Sequence, residues 1–201
     1  MNVRSELPTA ENSSNFHGFG ETEVATTLDA LKAAVTGETG ASAKYAQYAE
    51  AAEANGFKQA AKLFRAASAA EQIHINMEYA LVSKQDPDWE RPVAESVDVP
   101  ATDLCLIDAA KGEIFEASDM YPAFINIAQE ENEQAAVRVF TRAKLAEGSH
   151  AENYLNAYNN LDAADDDSYW LCPGCGYVEK GAYAPEKCPI CGVPGSKFQQ
   201  F

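Results

Sequence analysis

The chain is short of positive charge and has no long apolar run. Fifteen basic residues stand against 31 acidic ones, a formal charge of −16. A surface of that sign repels nucleic acid and anionic membrane, which sets both aside as partners. No stretch approaches the roughly 18 consecutive apolar residues of a membrane span. The first 20 residues hold no apolar segment of a Sec-type signal. Histidine is scarce, with three in 201 residues, and there are five cysteines. Four of these form two Cys-x-x-Cys pairs, which in an intracellular chain argues for a metal over disulfides. A cytoplasmic location is therefore expected. Cys105, between Leu104 and Leu106, reads as a buried thiol behaving as a small hydrophobe.

What is present is helical periodicity. Apolar residues recur at a 3/4 spacing over about 24–54 (Leu28, Leu31, Val35, Tyr45, Ala49), ended by Asn55-Gly56. The same spacing predicts helices over about 57–83 and 102–130, and a fourth reaching about 161. Between the second and third, Asp86-Pro87, Pro92 and Pro100 mark a long connection that is not helical throughout. Pro122 falls inside the third helix and is expected to bend it. The two halves repeat. Gly37-Glu38 matches Gly112-Glu113 at an offset of 75, and Glu71/His74 matches Glu147/His150 at 76. A helical hairpin used twice with a long link predicts an all-α, ferritin-like four-helix bundle with one crossover. The expected organisation is a flexible arm over 1–21, with His17 as a stray surface residue, then the bundle over 22–165. An acidic linker leads to a small metal-knuckle domain over 166–201.

The apolar stripe of every helix is interrupted near its middle. The interruptions are Glu38, then Glu71 with His74, then Glu113 with Glu116, then Glu147 with His150. Residues three apart project from nearly one side of a helix, so each Glu-x-x-His aims a carboxylate and an imidazole at one point. Bundles that hold two iron or manganese ions use one Glu from each of two helices and a Glu-x-x-His from each of the other two. Five carboxylates cannot share a dry pocket as anions unless cations join them. Two ferric ions with a bridging oxide would supply about +4 against −5. An internal salt-bridge network is the rival reading, but no Lys or Arg lies on those stripes at these levels. Oxygen and imidazole ligands suit iron or manganese. Glu116 is one carboxylate beyond the minimal set. It reads either as a ligand that swaps on and off a metal or as a hydrogen-bond acceptor behind the ligands. Tyr45 and Tyr121 stand two turns past Glu38 and Glu113. They read either as hydrogen-bond partners of the ligands, and so as catalytic candidates, or as amphipathic core. Gly148 inside the last motif costs about 1 kcal/mol of helix propensity against Ala, with close packing as the one reason in view.

Cys172-Pro-Gly-Cys175 and Cys188-Pro-Ile-Cys191 form two knuckles, each followed by a glycine that permits a tight turn. Four thiolates bind zinc or iron tetrahedrally, and the spacing does not choose between them. The aromatic setting (Tyr169, Trp170, Tyr177, Phe198) would shield an electron-transfer iron.

Over roughly residues 22–201 the chain resembles the rubrerythrin family. The resemblance rests on Gly37-Glu38, Glu71-x-x-His74, Gly112-Glu113-x-x-Glu116, Met120-Tyr121-Pro122 and Glu147-x-x-His150. It also rests on the cysteine segment with Ala184-Pro185-Glu186-Lys187 between its knuckles. Gly148-Ser149 departs from the family pattern. The resemblance implies a C-terminal rubredoxin-like domain with one Fe(SCys)4 centre, or zinc in its place, and a dinuclear iron site in which manganese or zinc can substitute. It implies that Glu71 and Glu147 bridge the irons, that Glu38 and Glu113 bind terminally, and that His150 holds one iron. The other iron would exchange Glu116 for His74 on reduction. The implied activity is an NAD(P)H-linked peroxidase that reduces hydrogen peroxide to water in oxidative-stress defence. The implied electron donor is an NAD(P)H-linked reductase or a rubredoxin. The family is expected to form homodimers, the small domain of one chain lying near the di-iron site of the other. A ferroxidase or iron-handling protein and a non-enzymatic metal-binding electron-transfer protein are the alternatives.

Overall fold

The computed structural model describes residues 24–163 and 166–201. The N-terminal arm, with His17, lies outside the described residues, as do positions 164 and 165 of the acidic linker. The helices are α1 (Thr27–Ala54), α2 (Lys58–Gln85), α3 (Thr102–Phe115), α4 (Tyr121–Glu130) and α5 (Gln134–Asn159). A π-helical turn, Glu116–Met120, fuses α3 and α4 into one rod, so the five helices make four rods.

Local chemistry sets the ends. At the start of α1 the Thr26 hydroxyl accepts from the Asp29 N–H (3.1 Å) and Asp29 accepts from the Thr26 N–H (3.1 Å), a reciprocal cap. Gly56 (φ +83°) turns the chain from α1 into α2. Lys32 pairs with Asp86 (2.6 Å) and Trp89 lies against Tyr79, which pins the start of the crossover. Val97 N–H donates to Gln47 (3.2 Å) and holds its far end. At Pro122, where a bend is expected, a π turn immediately precedes the proline. Proline has no N–H and crowds the carbonyl four residues back. The helix accommodates this one turn early, where Tyr121 N–H reaches Glu116 O, five residues back.

Two apolar clusters fill the bundle. One gathers Leu31, Val35, Ile75, Val82, Tyr121, Phe124 and Phe140. The other gathers Tyr45, Tyr48, Phe64, Leu106 and Tyr154, and continues into Tyr169, Leu171 and Val178 of the small domain. Along every rod the interrupting Glu and His residues fall between the two clusters. The polar layer is therefore sealed above and below.

The small domain carries three short antiparallel strands in the order β2-β1-β3: β1 (Ser168–Leu171), β2 (Val178–Gly181) and β3 (Gln199–Gln200). β1 leans on α2 and β2 on α5. Asn153 donates to Val178 O (3.0 Å), and Gln59 and Lys62 both donate to Asp167 O (3.0 and 3.1 Å). Among the described residues no helix is long and apolar enough to cross a membrane.

Phe64 lies between the rings of Tyr48 (5.4 Å) and Tyr154 (5.3 Å) and is fully buried. Phe64→Ala should lower unfolding free energy by about 3–5 kcal/mol through the cavity it leaves. Urea titration measures it, and a loss below about 1 kcal/mol would refute the packing account.

Candidate metal centres

The rods bring Glu38 (α1), Glu71 and His74 (α2), Glu113 (α3) and Glu147 and His150 (α5) together, all six completely buried. They form two overlapping ligand sets. Glu38, Glu71, His74 and Glu147 make one, and Glu71, Glu113, Glu147 and His150 the other. Within each set the ligand atoms lie within 4.8 Å of one another. Glu71 and Glu147 belong to both. Glu116, on the π turn, is in neither set, but its Oε2 is buried and unpartnered.

The pocket is built for cations. His74 Nδ1 lies 2.7 Å from Glu147 Oε1 and 3.0 Å from Glu71 Oε2. His150 Nδ1 lies 2.8 Å from Glu147 Oε2 and 3.3 Å from Glu113 Oε2. Yet both oxygens of Glu71 and of Glu147, one oxygen each of Glu38 and Glu113, and His74 Nδ1 have no hydrogen-bond partner. Buried polar atoms left bare in this way converge on something other than each other. Oxygen and imidazole donors in such sets fit a pair of divalent or trivalent ions.

Protons compete for the same places. Burial raises the Glu38 carboxyl well above its usual range, and Glu116, Glu71 and Glu147 raise it further. Burial, with Glu71 and Glu147, pushes Glu113 up to about 8. Burial opposes charge on both histidines, but Glu147 beside His74 and Glu113 beside His150 win and raise them. Glu147 goes the other way: burial would raise it, but the two imidazoles hold it below the usual range.

The outer nitrogens of both imidazoles face the small domain. His74 Nε2 donates to Cys175 O (3.0 Å) and His150 Nε2 to Gly176 O (2.8 Å). A carbonyl only accepts, so each Nε2 carries the hydrogen and each Nδ1 is left to the pocket. Gly176 (φ +80°) has no room for more: a Cβ there would stand 2.3 Å from His74 Nε2. The contact joins a knuckle to the bundle of its own chain.

The four cysteines are free thiols whose sulfurs share one point. Cys172 and Cys191 Sγ are 3.4 Å apart, Cys175 and Cys188 Sγ 3.5 Å. Tetrahedral thiolates around one ion would be about 3.8 Å apart, given metal–sulfur bonds near 2.3 Å. The knuckles have matching hydrogen bonds, Cys172 N to Tyr177 O and Cys188 N to Val193 O, both 2.8 Å. Cys105 lies apart, buried, its thiol pushed up to about 12 by that burial.

The two candidate tyrosines differ. Tyr121 Oη contacts Glu38 Oε1 and lies 2.9 Å from Glu78 Oε1. Tyr45 packs in an aromatic cluster, 5.5 Å from Tyr154, with burial and then Glu113 raising its phenol. Glu78 was not foreseen. It is completely buried, seven residues past Glu71, and that spacing on one helix face was the available signal. The expected lack of cations needs one amendment. Lys44 is largely buried and pairs with Asp108 (2.9 Å), to which Tyr48 also donates (3.0 Å). The close packing offered for Gly148 is absent, since a Cβ there would meet nothing within 4 Å.

A bundle with one long crossover, a paired carboxylate–histidine metal site and a docked four-cysteine domain defines a ferritin-like protein fused to a rubredoxin-like one. The Rubrerythrin family matches residues 29–158 and the rubredoxin-like domain of rubrerythrin matches residues 170–199. The chain belongs to the rubrerythrin family. It is 53% identical to nigerythrin of Nitratidesulfovibrio vulgaris over 203 residues, covering 100% of both chains. It is 32% identical to Rubrerythrin-2 of Clostridium acetobutylicum, covering 88% of this chain and 97% of that one. The solved structure of nigerythrin in its fully reduced, all-ferrous state superposes with a TM-score of 0.87 at 53% identity, over 100% of each chain.

Metal-free protein should lose stability as pH rises. Glu113, Glu38, Glu116 and both histidines have folded values above their ordinary ones. Their contribution is complete below the ordinary range near 4.5 for the carboxyls and fades as pH climbs through about 8, where Glu113 titrates. Glu147 acts oppositely but is outnumbered. Thermal melts of metal-free protein from pH 5 to 9 should fall, and a flat or rising profile would contradict the pocket's electrostatics.

Proposed function

We propose that the protein is a non-haem di-iron peroxidase that reduces hydrogen peroxide to water, with electrons arriving through the four-cysteine iron centre. The observation that carries this reading is the pair of imidazoles, each with Nδ1 in the carboxylate pocket and Nε2 on a main-chain carbonyl of the first knuckle. Every ligand histidine of the bundle thus touches the small domain, and one of the two carbonyls belongs to a cysteine of the second centre.

When bound, an iron pair supplies two electrons to the peroxide bond, one from each ion, and the thiolate iron replaces them singly. The chain's own residues do the rest. Glu71 and Glu147, common to both ligand sets, hold the two positions together. Glu38 and Glu113 close the two ends. The apolar clusters above and below keep bulk water out of the layer. Glu116 keeps an unpartnered oxygen near Glu38, which supports its reading as the carboxylate that trades with His74 when charge at the site changes. Tyr121 fixes Glu38 through its hydroxyl. An outside donor, an NAD(P)H-linked reductase or a rubredoxin, would meet the second knuckle, where Cys191 is the least buried of the four cysteines. A homodimer exchanging small domains would rebuild the same contacts between chains. A cytoplasmic role in oxidative-stress defence is part of this reading.

Two experiments check it. In stopped-flow mixing, chemically reduced protein should be oxidised by hydrogen peroxide much faster than by oxygen; the reverse preference would favour a ferroxidase. Cys172→Ser removes one of the four thiolates that share a point. Bundle iron should persist while turnover with an external donor is abolished and single-turnover oxidation of the chemically reduced bundle by peroxide stays. Equal loss of both phases would refute the route through the knuckle.

A further inference from the structure

Tyr121 has one hydroxyl hydrogen and two carboxyl oxygens in reach, Glu38 Oε1 and Glu78 Oε1. A phenol donates once. If both neighbours were carboxylates, one of them would face a phenol lone pair with no hydrogen between, in a place no water reaches. One carboxyl must therefore bring its own hydrogen. Glu38 stands in a four-residue ligand set with Glu71, His74 and Glu147, where an ion takes it as the anion. Glu78 stands in neither set. Its second oxygen is buried and has no partner, so no donor there stabilises Glu78 as an anion.

The internal repeat sharpens the point. Glu78 follows His74 by four residues, and the residue four past His150 is Tyr154. Past the π turn the offset is 76, and the counterpart of Tyr121 is Tyr45. On that side of the metal layer the two phenols sit with ring centres 5.5 Å apart, and the Tyr154 hydroxyl is buried without a partner. Among the described residues a directed hydrogen-bond chain onto a ligand carboxylate thus backs one side of the layer and not the other. The ring of Tyr121 is itself held by Phe140 (5.9 Å) and Phe124 (6.3 Å), so its hydroxyl can redirect its hydrogen but not move away.

We propose that Glu78 is a positioning residue: as a neutral carboxylic acid it donates to Tyr121 and so commits the Tyr121 hydrogen to Glu38. The order of donation is Glu78 to Tyr121 to Glu38. Were Glu78 an anion, it would compete for the Tyr121 hydrogen, and Glu38 would lose the bond that fixes its carboxylate plane. The two metal positions are then unequal by construction, the one at Glu38 being backed by a chain that the one at Glu113 lacks. This rests on Glu38 being a ligand, as read above.

The test uses full-length protein loaded with zinc, which neither gives nor takes electrons, as wild type, Glu78→Gln and Tyr121→Phe. The infrared spectrum of the wild type should hold a neutral-carboxyl C=O band that shifts in D2O and is missing from Glu78→Gln. Glutamine keeps a donor for Tyr121 and should keep zinc affinity within about threefold. Tyr121→Phe removes both the acceptor of Glu78 and the hydrogen that Glu38 accepts. The band should persist there at a shifted frequency, and one of the two bundle positions should weaken about 10–100-fold, the usual cost of losing a partner behind a ligand. The proposal is overturned if the wild type lacks the band, if Glu78→Gln retains it, or if Tyr121→Phe binds two zinc ions as tightly as the wild type. Should the phenylalanine variant fail to fold, the band in the wild type and in Glu78→Gln decides alone. None of these readouts involves peroxide, so a wild type that fails the stopped-flow test but shows the band sinks the peroxidase reading and leaves Glu78 in place.

Discussion

Everything in the bundle answers to one constraint: five carboxylates and two imidazoles withdrawn from water into a single layer. Each buried ion costs several kcal/mol after all relaxation, and the largely buried Lys44 beside the layer is already paired with Asp108. Cations held between the rods resolve the conflict, and in their absence protons do so only in part. This explains why the hydrophobic core is divided in two. Apolar residues close over both sides of the layer on every rod, so the ligands are held by packing before any metal arrives. It also explains why the ligands come from four rods, since no single helix could present so many anions to one point.

Much of this was legible in the chain, and the reasons are specific. Glu-x-x-His at positions 71–74 and 147–150 fixes a helix face, and the 3/4 spacing of Leu31, Val35, Tyr45 and Phe64 fixes which face is inside. The helix limits moved by only a few residues, from about 24 to Thr27 and from about 83 to Gln85. Glu78 escaped because Met77 suits the apolar stripe equally well, being three past His74 where Glu78 is four. Pro122 signalled a disturbance but not its form, since a bend and a π turn both relieve a missing N–H. The atoms that dock the small domain were invisible because the contact uses carbonyl oxygens, which every residue has. Only Gly176 hinted at it, and its glycine was already explained by the turn after Cys175. Gly148 remains without a structural role.

The two hairpins repeat in register, yet the two sides of the metal layer they enclose are not equivalent in chemistry. One offers Tyr45, Tyr154 and an aromatic cluster that runs on into the small domain. The other offers Tyr121 and Glu78, and ends in purely apolar packing at Phe124 and Phe140. The face toward the thiolate centre is thus rich in rings, and the far face carries the ordered hydroxyl. Duplicated backbone with divergent lining gives a dinuclear site two distinguishable sides without altering its ligands.

The junction between the domains has a consequence for how such chains can change. Because His74 and His150 grip main-chain oxygens, drift among the knuckle side chains other than its cysteines spares these two bonds, with the glycine at 176 and the packed Tyr169, Leu171 and Val178 as the fixed letters. The knuckle is in that sense an interchangeable module. A knuckle of different sequence, tuned to a different potential, would seat on the same two imidazoles as long as its turn kept its shape.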